Sequence, residues 1–210
     1  MLTYEKVAYY IANAVCKVIK FDRLLFAYKI HETCINHRLA LYLEKALSTQ
    51  WDFCDEDLFV DIEFNRILTN DKHRKMQLNI EQSTTFENQQ VPSKSIRPDI
   101  VIHNRQNNRR NMLWIEVKIG SDPYICQADI NKVCHACQQF GFQLGASLLI
   151  DYPENKLWAW MIDSTGQIEE YEFHCEEGNI SSCHVPWKSD MKTYPLLIAT
   201  DKNRNYSCKY

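Results

Sequence analysis

Two short apolar runs that carry charged side chains constrain this chain more than any other feature of its sequence. The first run, residues 97–103, reads RPDIVIH, and the second, residues 112–119, reads MLWIEVKI. Both are typical of buried β-strands, in which a charge is costly unless it is paired, binds a metal or takes part in chemistry. Asp99, Glu116 and Lys118 are therefore the first candidates for a functional site.

Because side chains alternate between the two faces of a strand, the charges of each run fall together. In the second run, alternation places Glu116 and Lys118 on one face, opposite a row of aliphatic residues. In the first run, Asp99 and His103 share a face opposite the two isoleucines. If the two strands are neighbours, two carboxylates and one ammonium converge at a sheet edge. That arrangement is suited to holding a divalent cation with a water molecule beside it.

A third run, residues 58–68, also alternates and is predicted to form one strand. Its polar residues Asp61, Glu63 and Asn65 would share a face. An antiparallel sheet with one face in water carries such charges without any function, and this alternative stays open for the third run. In the other two runs, apolar neighbours on the charged face, Trp114 among them, favour a partly covered cleft.

Apolar periodicity and end signals predict three helices and three further strands. The helices are expected at residues 3–19, 31–47 and 122–140, and the strands at 146–152, 156–163 and 167–174. Asp122 and Pro123 favour a helix start, and Gly141 favours a helix end. Residues 70–95 are expected to form a hairpin extension or a loop, and no pattern is readable beyond 176. The fold class is α/β, with a mixed central sheet flanked by helices, an N-terminal helical prefix and a C-terminal β extension.

Composition narrows the classes of function. The 210 residues suit one domain, and with five glycines the chain has no glycine-rich phosphate-binding motif. The net charge of −3 gives no overall attraction to polyanions, so any contact with nucleic acid depends on local basic residues. The candidates flank the charged strand ends: Arg97, His103, Arg105, Arg109 and Arg110. A solvated basic loop is the alternative for the arginines, and a structural hydrogen bond is the favoured alternative for His103.

The sequence features related to location favour a reduced, cytoplasmic protein that does not bind membranes. The N-terminus lacks the basic-then-apolar pattern of a signal peptide, and no apolar run approaches about 18 residues. Nine cysteines, an odd number, suggest reduced thiols rather than a disulfide framework. Cys134 and Cys137 fall on the apolar stripe of their helix, which favours packing over a zinc site.

Pro98-Asp99 followed by Glu116-Val117-Lys118 resembles the PD-(D/E)XK nuclease superfamily, the restriction-endonuclease-like proteins. The segment at 61–66 and the helix that starts near His31-Glu32 are similar to small stand-alone bacterial members. The resemblance covers about residues 30–152 and implies a core with the element order αβββαβ. Residues 1–210 would then be a single nuclease-like domain, in which 153–210 form a strand extension and a tail.

The resemblance also implies a site. Asp99 and Glu116 would bind Mg²⁺ or Mn²⁺ together with the Val117 carbonyl, and Lys118 would orient the attacking water. Glu32 would supply a further ligand, and Glu63 is a lesser candidate of the same kind. The helix after Glu-x-Lys often adds a polar residue to the site in this family, and Gln127, Asp129 and Lys132 are the candidates here. Because they lie off the apolar stripe, they are nevertheless expected to be solvated.

The implied function is that of a metal-dependent nuclease acting on DNA. A ribonuclease that uses the same site chemistry stays open, because nothing in the sequence addresses the 2′-hydroxyl. A noncatalytic binding or assembly subunit with the same fold also stays open. A homodimer would suit duplex cutting, since one site per chain must act twice.

Overall fold

The computed structural model describes residues 3–49, 58–69, 72–79, 93–106, 110–176 and 179–185. Its helices are α1 Tyr4–Phe21, α2 Leu24–Ala27, α3 Glu32–Thr49 and α4 Gln127–Phe140, with a 3-10 turn at Pro123–Cys126. Its strands are β1 Phe59–Ile62, β2 Arg66–Thr69, β3 Lys72–Lys75, β4 Gln77–Asn79, β5 Ser93–Ser95, β6 Ile100–His103, β7 Asn111–Ile119, β8 Leu144–Asp151, β9 Lys156–Asp163, β10 Ile168–Glu176 and β11 Asn179–Val185. None of the helices in these ranges combines the length and the apolar character needed to cross a membrane.

Seven of the described strands form one mixed sheet in the order β1-β6-β7-β8-β9-β10-β11. Only β7 and β8 run parallel, and α4 connects them along the chain, as a parallel pair requires. The other neighbours in this sheet are antiparallel. Helices α1 and α3 pack on one face and α4 packs on the other. The prediction of an α/β fold with a mixed, helix-flanked sheet is confirmed at this level.

Strand β7 lies at the centre of the packing and is buried on both faces. Leu113, Ile115 and Val117 contribute to the core under α1 and α3. Trp114 faces the other way, into the core formed with Val133 of α4. The face that carries the charges of β7 is therefore covered by a helix rather than open to water.

The end signals around α4 were read correctly. The Asp122 carboxylate accepts a hydrogen bond from the Tyr124 N–H at 3.0 Å, and Pro123 begins the 3-10 turn that leads into the helix. Gly141 ends the helix in the left-handed conformation, with φ 68° and ψ 33°. A residue without a Cβ adopts that conformation at little cost.

The prediction of a single strand over residues 58–68 is wrong. The chain leaves the sheet after Ile62 because Glu63 adopts a left-handed backbone, with φ 50°, and donates its N–H to the Asp99 carbonyl at 3.2 Å. Residues from Arg66 onward pair with Lys72–Lys75 in a separate two-stranded sheet. The expected common face of Asp61, Glu63 and Asn65 therefore does not exist.

The peripheral segments are only partly described. In and beside 70–95, β2 pairs with β3 and β4 pairs with β5 in two small antiparallel sheets, which agrees with the expected hairpin extension. Beyond 176, β11 pairs with β10 as a further edge strand of the large sheet. Residues 80–92 and 186–210 lie outside the described residues.

Cys16 and Cys175 form a disulfide between α1 and β10, so the expectation that all the cysteines are reduced thiols is wrong for this pair. The two residues are 159 positions apart, and no local pattern in the sequence indicates that α1 packs beside β10. Cys137 is buried with Val133 in the core under α4, and Cys134 packs against that core, as the apolar stripe predicted.

Candidate functional site

The site forms where β6 and β7 part. The two strands pair as far as Ile100 and Ile115, and β7 then continues to Ile119 alongside β8 alone. Asp99 immediately precedes β6, and its Oδ2 accepts a hydrogen bond from the Val117 N–H at 2.8 Å. A side-chain carboxylate thus replaces the strand carbonyl that would otherwise meet this N–H. The pair brings Asp99 to the β7 segment that carries Glu116 and Lys118.

Glu116 is almost fully buried, with 3 % of its surface exposed, and both of its carboxylate oxygens are engaged. Oε1 accepts the indole N–H of Trp114 at 2.7 Å, and Oε2 accepts Nζ of Lys132 at 2.7 Å. Lys132 also donates to the Arg97 carbonyl at 3.1 Å. Burial raises the pKa of Glu116 to about 7, against the opposing effect of the Lys132 ammonium.

Lys118 lies among acidic groups from three elements. Its Nζ is 3.5 Å from Asp129 Oδ2 of α4, an ion-pair distance. Burial alone would lower the pKa of Lys118, but Asp129, Glu32 and Asp99 together raise it above its ordinary value. The ammonium is therefore kept charged by its neighbours.

Glu32, at the first position of α3, belongs to the same cluster. Burial is the main cause that raises its pKa, and the carboxylates of Asp99 and Asp129 raise it further. The pKa of Asp99 is also raised, again mainly by burial. The structure therefore brings together four residues that the sequence analysis singled out for the site: Glu32, Asp99, Glu116 and Lys118.

Helix α4 contributes two residues that sequence reasoning misjudged. Asp129 and Lys132 were expected to be solvated, but their side chains are only 15 % and 27 % exposed and pair with Lys118 and Glu116. A signal was present in the sequence: an acid and a lysine three positions apart on a helix complement a glutamate and a lysine two positions apart on the preceding strand. Gln127, the third residue of that expectation, is half-buried.

Glu63, the lesser candidate ligand, lies outside the cluster. Its carboxylate pairs with the Arg97 guanidinium at 3.0 Å, and both side chains are about half exposed. The left-handed backbone that ends β1 at this residue turns the side chain away from the strand face on which it was expected. Glu63 is therefore removed from the set of candidate metal ligands.

The expected nucleic-acid contacts are mostly engaged elsewhere. His103 is buried, with 4 % exposed, and its Nε2 lies 3.0 Å from Asp61 Oδ2, so the expectation that it contacts phosphate is wrong. Arg105 donates from Nε to the same carboxylate at 2.8 Å, and its guanidinium lies 4.3 Å from the Phe59 ring centroid. Arg97 and Arg110 are exposed, whereas Arg109 lies outside the described residues.

The donor set of the cluster consists of oxygens, which suits Mg²⁺ or Mn²⁺ better than zinc. In the described ranges, Glu32 Oε1 is buried without a hydrogen-bond partner, and Asp129 Oδ2 is buried with no close partner beyond its 3.5 Å contact with Lys118. The N–H and C=O of a strand residue point to the same side, so the Val117 carbonyl faces the gap that its N–H shares with Asp99. The chemistry of these residues fits a hard cation. In this structure, however, no three His, Cys, Asp or Glu side chains among the described residues lie close enough together to hold a metal ion.

Comparisons with protein families, with curated proteins and with solved structures find no match for this chain.

Proposed function

We propose that this protein is a divalent-metal-dependent nuclease that hydrolyses phosphodiester bonds, with DNA as its expected substrate. The observation that carries the proposal is the convergence of three acidic side chains and a lysine where β6 and β7 separate. They come from the start of α3, the residue before β6, and β7: Glu32, Asp99, Glu116 and Lys118. Buried charges of this kind are costly to stability, and titratable groups with shifted pKa values are concentrated at functional sites.

The order of elements also supports the proposal. Helix α3, strands β1, β6 and β7, helix α4 and strand β8 follow one another along the chain, with residues 63–99, which include β2 to β5, inserted between β1 and β6. This is the αβββαβ order expected for a restriction-endonuclease-like core. Strand β7, which bears the Glu-x-Lys residues, lies between β6 and β8.

The roles follow from what each side chain contacts. Asp99, Glu116 and Glu32 would hold Mg²⁺ or Mn²⁺ through carboxylate oxygens, with the Val117 carbonyl as a further donor. The bound cation would polarise the scissile phosphate and lower the pKa of its water. The Val117 N–H fixes Asp99, and the Trp114 indole fixes Glu116.

Lys118 has a different role because it is the more exposed lysine of the cluster, with 39 % of its side chain in contact with solvent. Its compact ammonium can donate to an attacking water or to a phosphate oxygen and offset negative charge as it develops. Removing one such electrostatic donor slows a reaction by about 10²–10³-fold.

The direct test is cleavage of labelled duplex DNA and labelled RNA in Mg²⁺, Mn²⁺ or EDTA. We expect metal-dependent cleavage that Asp99→Ala and Lys118→Ala abolish. Lys156→Ala is the matched control, since this half-buried lysine of β9 pairs with Glu172 of β10 and with no residue of the cluster. Cleavage that survives both site changes would contradict the assignment, and the RNA arm shows whether the enzyme is a ribonuclease.

A noncatalytic nucleic-acid-binding or assembly subunit is the second candidate, and one specific observation favours it. Lys132 already neutralises Glu116, and the described residues contain no assembled group of metal ligands. If this candidate is correct, calorimetry with Mn²⁺ shows no binding and neither nucleic acid is cut.

A further inference from the structure

We propose that Lys132 is an internal counter-ion that occupies Glu116 in the metal-free protein and competes with the divalent cation for it. This inference rests on the proposed function, since it takes Glu116 to be a cation ligand. Lys132 is thereby a positioning residue that sets the affinity of the site for metal.

The competition follows from the partners of the two carboxylate oxygens. The Trp114 indole is a neutral donor on Oε1, whereas the Lys132 ammonium places a full positive charge 2.7 Å from Oε2. A divalent cation bound to the same carboxylate would lie close to that ammonium and be repelled by it. The affinity of Glu116 for the cation is therefore lowered while Lys132 remains in place.

The structure also shows why Glu116 needs the Lys132 ammonium and where that ammonium can move when a metal binds. A buried carboxylate that is 4 % exposed at its side chain needs a compensating charge when no metal is bound. Lys132 Nζ keeps a second partner, the Arg97 carbonyl at 3.1 Å, and its side chain is 27 % exposed. The ammonium can therefore swing toward Arg97 and solvent without becoming buried and unpaired.

In the described part of the chain, no three of the acidic side chains stand close enough together to bind a metal ion. Metal binding would therefore need side chains to move, and displacement of Lys132 would free Glu116 Oε2 to take part.

The test is Mn²⁺ binding by calorimetry, combined with thermal unfolding with and without Mn²⁺, for the wild-type protein and Lys132→Met. Without metal, Lys132→Met should unfold at a lower temperature, because it leaves a buried carboxylate unpaired. Its Kd for Mn²⁺ should be lower by roughly fivefold or more, at the small end of typical couplings between two ligands. Its thermal stabilisation by Mn²⁺ should be correspondingly larger. A merely structural lysine would not improve metal binding on removal.

Three further variants sharpen the test. Lys132→Arg keeps the positive charge and should bind Mn²⁺ as weakly as the wild type. Adding Glu116→Gln to Lys132→Met should remove the gain in affinity. Lys156→Met, which breaks a comparable 2.7 Å ion pair with Glu172, should change stability without changing Mn²⁺ affinity.

If Lys132→Met does not fold, Lys132→Gln takes its place, since glutamine keeps a donor without the charge. Equal or weaker Mn²⁺ binding by the uncharged variant, in a protein whose wild type binds Mn²⁺ and cuts nucleic acid, overturns this inference alone. Absence of Mn²⁺ binding in every variant, together with absence of cleavage, overturns the proposed function as well.

Discussion

At the scale of single residues, the carboxylate of Asp99 occupies a position in which a strand carbonyl would ordinarily lie. It satisfies the Val117 N–H just before β6 begins. Burial, with a smaller contribution from Asp129, raises the pKa of Asp99 against the lowering effects of this hydrogen bond and of the nearby lysines. The hydrogen bond stabilises the fold, whereas the buried negative charge opposes it. Such a conflict is expected at functional sites.

Two substitutions separate the effects at Asp99. Asp99→Asn keeps an acceptor for the Val117 N–H and removes the charge, so we expect a free energy of unfolding at least as large as that of the wild type. Asp99→Ala leaves the amide unsatisfied and should be less stable than Asp99→Asn by about 1–3 kcal/mol. Urea unfolding at pH 7 measures both, and equal stabilities would show that the hydrogen bond contributes nothing.

Asp61, His103 and Arg105 form a second charged group at the opposite end of β6 from Asp99, and its role is structural. Burial opposes ionisation of Asp61, but hydrogen bonds from His103 and Arg105 outweigh it and hold the pKa of Asp61 well below its ordinary value of 3.8. The basic residues proposed from sequence to meet nucleic acid here are thus used to hold β1 against β6.

This group predicts a defined response to acid. Because the pKa of Asp61 is lowered, its stabilisation is fully present above the ordinary value of 3.8 and is lost as pH falls through the lowered value. Asp61→Asn should therefore cost about 1–3 kcal/mol at pH 7, and its difference from the wild type should shrink below about pH 4. Urea unfolding across this pH range measures the difference. Glu154→Gln, in the exposed turn after β8, is the control and should show no comparable pH-dependent loss.

At the scale of elements, strand β7 and helix α4 carry complementary charges. Glu116 of the strand pairs with Lys132 of the helix, and Lys118 of the strand pairs with Asp129 of the helix. Both elements were predicted from periodicity, and so were the strand residues of the site. The helix residues were misjudged because an apolar stripe shows which side of a helix is buried, but not which polar neighbours border the buried part.

The break in the predicted strand 58–68 has a similar cause. Alternation of side chains continues through Glu63 in the sequence, but the backbone there is left-handed, with φ 50°. Non-glycine residues adopt that conformation rarely, and only where tertiary contacts favour it. The contact in this case is the hydrogen bond from the Glu63 N–H to Asp99, which sequence spacing does not reveal.

The packing of α4 on β8 also gives a stability prediction. A Cβ added at Gly145 would lie 2.1 Å from Val133 Cγ1 and 2.7 Å from Cys137 Sγ, so the helix approaches the strand here because glycine has no side chain. Gly145→Ala should destabilise the protein by about 1–3 kcal/mol through overpacking. In urea unfolding, the cost should be smaller when Val133→Ala is already present. An equal cost in both backgrounds would mean that the contact with Val133 is not the cause.

At the scale of the whole molecule, the order of helices and strands was predictable but their neighbours were not. Periodicity and end signals gave α1, α3, β6, β7, α4 and the strands that follow, with ends shifted by a few residues. The order of strands in the sheet decides which distant residues become neighbours, and local sequence patterns carry no information on that order. For this reason, the edge strand β11 and the pairing of Cys16 with Cys175 were missed.

The disulfide makes a prediction for the intact chain. It joins residues separated by 159 positions, and loop-closure entropy alone assigns about 5 kcal/mol to a crosslink of that span. Reduction should therefore lower the midpoint of urea unfolding markedly, and Cys175→Ser should show the same lowering with no further response to reductant. Mass spectrometry of a non-reduced digest should find the peptides of Cys16 and Cys175 linked. Recovery of both peptides unlinked would contradict this pairing.

The central claim is that the acidic groups where β6 and β7 separate form a binding site for a cation. The most direct measurement is anomalous scattering from a crystal of the protein soaked in Mn²⁺. We expect a peak between Asp99 and Glu116, with Lys132 moved away from Glu116 Oε2. A fully soaked crystal with no peak there, and with Lys132 still bound to Glu116, would contradict the account.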